Sequence, residues 1–248
     1  MSISADFIYE RSWLDHLDQD LEKFRDDPLY QEIENEAKDP TIHLESAPFL
    51  ASCYFDEHRI TLDPTLFKSK IGNTFPMALQ YYLFELANLS QVAKFKSLIH
   101  RVTFLTPDKF VEEYERIEHQ SALKIKEILR KCLPKEEWGQ YSMTRVPENF
   151  ELHFLVQQMS GHSGTIWERY ADLFPPHSFY IGTWDSVPED EKPFLMALID
   201  FQSRKQDPDP AIAAAGEAKY ALVKELLCRQ HDDLRHRLIA RIQHIEQY

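Results

Sequence analysis

PMALQYYLFELANLSQVAKFKSLI, residues 76–99, is the longest strongly apolar segment of this 248-residue chain. Apolar residues fall on nearly every face of a helical projection, so the segment reads as a helix buried on most sides. Pro76 suits a first helical turn, where its missing N–H costs nothing. Two polar residues, Glu85 and Asn88, interrupt the apolar pattern. At about 3.6 residues per turn, Tyr81, Glu85, Asn88 and Val92 share one stripe. An ionised glutamate in apolar surroundings is unfavourable unless it is paired, hydrogen-bonded or protonated, or unless the stripe lines a cleft. This helix is therefore both the organising element and a candidate site.

Working outward, residues 41–63 change character. Two short runs, 49–55 and 59–62, flank Asp56-Glu57-His58, which predicts a β-hairpin with a short polar turn. A polar linker, 68–74, joins this hairpin to the central helix. Further amphipathic spacing predicts helices over 6–25, 29–37, 107–132, 148–160, 165–174, 188–204 and 210–246. Thr106 and Pro107 form a good start for the 107–132 helix. The aromatic run FYIGTW, 179–184, reads as a strand or an ordered loop. The expected fold is mainly α (α+β), with a small antiparallel hairpin or sheet near 48–63 packed on the central helix. The expected organisation is a helical domain over 1–187 and a C-terminal helical extension over 188–248, together one domain.

Composition narrows the function classes. Only 6 glycines are present, which favours helices, and 43% of residues are hydrophobic, enough for a core. There are 41 acidic against 28 basic residues, a formal charge of −13. That balance opposes nucleic-acid and anionic-membrane surfaces, which require a basic field. No apolar run of about 18 residues predicts a membrane span. The three widely spaced cysteines, Cys53, Cys132 and Cys228, form no CxxC pair. They are expected to be reduced and buried, in a cytoplasmic protein without a Sec signal peptide.

The hairpin ending in RITLDPTLF, followed by a linker and ALQYYLFELANLSQ, resembles the core of zincin-like metallopeptidases, over roughly residues 45–130. In that family a helix carries HExxH. Its two histidines face one zinc, its glutamate activates a bound water, and a later helix supplies a third ligand. The matching segment here is Phe84-Glu85-Leu86-Ala87-Asn88: the glutamate is kept and both histidine positions are lost. The resemblance places Glu115 or Glu118 where the third ligand would stand. It therefore implies a zincin scaffold without the family's metal site, and no metal ligand or cofactor is expected.

Other constellations are weaker. Cys228 and His231 lie three apart on the last predicted helix, without a second compact ligand pair. His153, His162 and His177 flank a segment containing Gly161-His162-Ser163-Gly164. No phosphate-binding glycine loop and no G-x-S-x-G elbow occur. With no complete catalytic motif, the leading expectation is a non-enzymatic interaction, regulatory or effector-type protein with a protein partner. The alternative is a hydrolase with Glu85 as general base and Glu115 or Glu118 nearby as a second carboxylate. The expected catalytic residues are Glu85 and Glu118, and the expected binding residues are Tyr81, Asn88, Glu115 and His119.

Overall fold

The computed structural model describes residues 5–46, 49–68, 75–204, 207, 209–227 and 232–246. Its helices are α1 (Ala5–Leu21), α2 (Pro28–Ala37), α3 (Pro76–Ser90), α4 (Val92–His100), α5 (Pro107–Cys132), α6 (Phe150–Ser160), α7 (His162–Tyr170), α8 (Lys192–Arg204), α9 (Pro210–Leu227) and α10 (Asp232–Glu246). Three short strands, β1 (Thr41–Leu44), β2 (Ala51–Tyr54) and β3 (Arg59–Leu62), form one sheet. The fold is mainly α with a small sheet, as the sequence implies. No helix among the described residues is long and apolar enough to cross a membrane.

The chain divides into two compact units. One comprises Met1–Lys94 and Gln120–Thr144, the other Phe95–His119 and Arg145–Tyr248. Helix α5 contributes its second half to the first unit and its first half to the second.

In the first unit, β2 and β3 form the expected antiparallel hairpin, with Cys53 opposite Ile60. The sheet also holds a strand that the hairpin pattern did not reveal. β1 pairs in parallel with β3, Ile42 beside Ile60, giving the order β1-β3-β2. Ile60 and Leu62 are buried, and α3 packs on β2 and β3. Leu79, Leu83 and Leu86 of α3 share a core with Ile125, Ile128 and Leu129 of α5.

The central helix is shorter than its apolar pattern. It ends at Ser90, and α4 begins at Val92. The Ser90 hydroxyl donates to the Ala87 carbonyl at 2.8 Å, an alternative to the helical ladder. The Gln91 side chain then leaves the helix line to donate to Ser121 Oγ at 2.5 Å. The predicted last helix appears as α9 and α10. Residues 228–231, including Cys228 and His231, lie outside the described residues, as does most of the 68–74 linker.

In the second unit, Leu195, Leu198 and Phe201 of α8 form a core with Tyr220 and Val223 of α9 and Leu238 of α10. Phe201 and Tyr220 stack at 4.2 Å. The 179–184 run is an ordered loop, with Gly182 N donating to Asp108 Oδ1 at 3.1 Å.

Asp27 is the clearest local determinant in the first unit. Its Oδ1 caps α2 by accepting from Leu29 N and Tyr30 N, and Oδ2 pairs with Lys131 Nζ at 2.6 Å. Burial opposes ionisation of this carboxyl, but the Lys131 and backbone hydrogen bonds outweigh it and hold its pKa below the unfolded value of 3.8. Its stabilising contribution is thus present above pH 3.8 and lost as the pH falls below it. Asp27→Ala is expected to lower unfolding free energy by about 1–2 kcal/mol at neutral pH, read by urea denaturation, with Asp27→Asn retaining most of the cap.

Candidate metal centre

Helix α5 places Glu115 and Glu118 one turn apart on one face, with His119 beside them. The partner element is set by a single glycine. Asn149 caps α6 by accepting from Leu152 N at 2.8 Å, and α6 ends at Gly161, with φ of +83°. That left-handed conformation suits glycine, and α7 starts at the next residue. His162 and Ser163 therefore sit in the first turn of α7.

The side chains of the two elements converge. Ser163 Oγ donates to Glu115 Oε1 at 2.7 Å, and His162 Nδ1 lies 3.1 Å from the same oxygen. His162 Nε2 lies 3.7 Å from Glu118 Oε2. Donor atoms of Glu115, Glu118 and His162 all fall within 4.8 Å of one another. Glu115 is 0% exposed and Glu118 8%, whereas the His162 side chain keeps 38% of its surface. Glu115 Oε2 is buried and accepts no hydrogen bond among the described residues. Two carboxylates and an imidazole in this spacing form an O,O,N donor set. A single ion with bonds of about 2.1 Å separates adjacent ligand atoms by roughly 3–3.5 Å, within small side-chain rotations of these distances.

A second layer supports the carboxylates. Tyr180, on the 179–184 loop, accepts a hydrogen bond from Gln158 Nε2 at 3.2 Å and lies beside Ser163. Burial pushes its phenol pKa up, so it stays protonated. His119 points elsewhere: its Nε2 donates to the Pro147 carbonyl at 2.7 Å, and its ring stacks on His153 at 4.4 Å. Burial, followed by the charges of His119 and His162, depresses the His153 pKa to about 3.

The sequence-predicted residues thus fall into two sets. Glu115, Glu118 and His119 belong to the second unit, and the first two join His162 in the cluster. Tyr81, Glu85 and Asn88 belong to the first unit. There Asn88 Nδ2 donates to Glu85 Oε2 at 3.4 Å, and both residues are buried. Burial, then the Glu85 charge, raises the Tyr81 pKa. Sequence reasoning noted the segment around His162 but did not assign it a role, and it missed Ser163 and Tyr180 as supports. Ser163 was signalled only by the Gly-His-Ser-Gly string and Tyr180 only by the aromatic run 179–184. Comparison with family models, curated proteins and solved structures gives no match.

The neutral His153 makes stability pH-dependent. The unfolded chain takes up its proton near pH 6.5, the folded chain only near pH 3, so acidification below 6.5 favours unfolding. Wild type is expected to lose about 1 kcal/mol more between pH 7 and pH 5.5 than His153→Gln, measured by urea denaturation at each pH.

Proposed function

We propose that the protein binds a divalent first-row metal ion through Glu115, Glu118 and His162, and that this centre is of the hydrolytic type. The observation that carries this reading is the convergence of three donor atoms within 4.8 Å, one of them on a fully buried glutamate. Carboxylate and imidazole donors together suit Zn²⁺, Mn²⁺ or Fe²⁺. Three protein ligands leave a further coordination position, the arrangement of catalytic rather than closed structural sites. The half-exposed His162 supplies the solvent side. A bound ion would supply Lewis acidity and a water of lowered pKa. The chain's own residues hold the site: Glu115 and Glu118 offset the charge, His162 completes the set, and Ser163 fixes Glu115. The zincin resemblance then reduces to a scaffold feature on α3, with Tyr81, Glu85 and Asn88 as an internal polar stripe. Cys53 and Cys132, which form no disulfide among the described residues, fit a reducing cytoplasmic setting.

A second reading keeps the protein non-enzymatic, as a regulatory or effector-type binder of another protein on an inactive zincin-like scaffold. It is favoured by the 179–184 loop, which exposes Phe179 (68%) and Ile181 (53%).

Elemental mass spectrometry of protein purified without chelator, followed by calorimetric titration with Zn²⁺ and Mn²⁺, separates the two. About one equivalent of metal is expected, lost in Glu115→Gln and His162→Ala. Ser163→Ala is expected to weaken it about tenfold or more, and Glu85→Ala to leave it unchanged. Absence of metal from wild type, or equal metal in all variants, refutes the metal reading and leaves the interaction reading.

A further inference from the structure

The second unit contains a cleft of about 480 Å³, within the size range of small-ligand sites. Phe150, Phe154 and Leu155 of α6 and Leu195 of α8 give it apolar walls. Three charged side chains also line it: Glu112, Glu151 and Arg241.

Two of those charges are already compensated. Arg241 Nε lies 2.8 Å from Oε2 of the buried Glu191, whose Oε1 is held by Arg237 at 2.6 Å. Arg237 also pairs with Asp190 at 3.1 Å, so these two arginines and two acids cancel. Glu112 lies between Lys109 and Arg116, at 3.1 and 3.0 Å. Glu151 has no ion pair among the described residues. It is the one uncompensated charge among the cleft's described lining residues.

The cleft is also wired to the metal centre. Gln158, in its wall, donates to the Tyr180 hydroxyl; Tyr180 lies beside Ser163, and Ser163 donates to Glu115. A run of polar side chains therefore joins the cleft wall to a proposed metal ligand.

From the apolar walls, the unpaired Glu151 and this connection, we propose that the cleft is the substrate pocket of the centre. It takes a peptide-like ligand bearing an aromatic or aliphatic group next to a primary amine, the amine facing Glu151. Naming it the substrate side rests on the metal reading, but ligand binding in the cleft does not. The two are tested separately.

The probes are N-acetyl-Leu-Phe-Lys amide and N-acetyl-Leu-Phe-Glu amide, titrated calorimetrically into the full chain at fixed ionic strength. The lysine peptide is expected to bind about fivefold or more tightly than the glutamate peptide, a difference of the order of one half-buried ion pair. Glu151→Gln should erase that preference, which distinguishes the pocket from the general attraction of a −13 chain for cations. Leu155→Trp, which fills the cleft, should abolish binding of both peptides while circular dichroism reports an intact fold. The titrations are made with and without added Zn²⁺, and the lysine preference is expected in both, so loss of the metal reading leaves the pocket standing and the reverse also holds. Equal affinity for the two peptides, a preference that survives Glu151→Gln, or binding that survives Leu155→Trp overturns the assignment.

Discussion

A carboxylate with no solvent-exposed surface sets the terms for the second unit. An ionised group at that depth needs compensation from its surroundings, because water cannot supply it. Among its described residues the unit contains two such groups, Glu115 and Glu191, and they are compensated differently. Glu191 receives two guanidinium groups, one on each oxygen. Glu115 receives a hydroxyl and an imidazole, both on the same oxygen. Positive charge is therefore complete at Glu191 and short at Glu115, with a second carboxylate, Glu118, one turn away. This imbalance is what the metal proposal addresses at the α5–α7 cluster, whereas the Glu191 cluster ties α10 to the segment before α8.

Helix α5 divides this work along its own sequence. Its first half buries Phe110, Val111 and Tyr114 together with Glu115, Glu118 and His119 in the second unit. Its second half is apolar where it counts, with Ile125, Ile128 and Leu129 in the core of the first. A single periodic helix of 26 residues thus carries two different inner surfaces.

Much of the fold was legible because its signals are local. The apolar run of α3, the Pro107 start of α5 and the β2–β3 hairpin each depend on neighbours a few residues away. What escaped depends on distant partners. Strand β1 pairs in parallel with β3, and Thr-Ile-His-Leu holds no turn signal that would announce it. The break at Ser90 follows from a hydroxyl choosing a local carbonyl, while apolar periodicity continues past it. At the candidate site, Glu115 and Glu118 were visible through their spacing on one helix and through the resemblance. Their imidazole was not, because His162 meets them only after α6 and Gly161 turn the chain back. Glu85 and Asn88 were conspicuous as polar intruders, and they do bond to each other, but a buried polar pair is equally what an internal stripe requires.

Between α6 and α7 there is no loop, only Gly161. Surface loops elsewhere in a protein absorb insertions and deletions because extra residues bulge into water. Here an added residue has nowhere to go except into one helix or the other, where it turns every following side chain by about 100°. His162 and Ser163 would swing off Glu115 together. A change of length at that joint therefore disturbs the proposed cluster more than a substitution on the outer face of either helix.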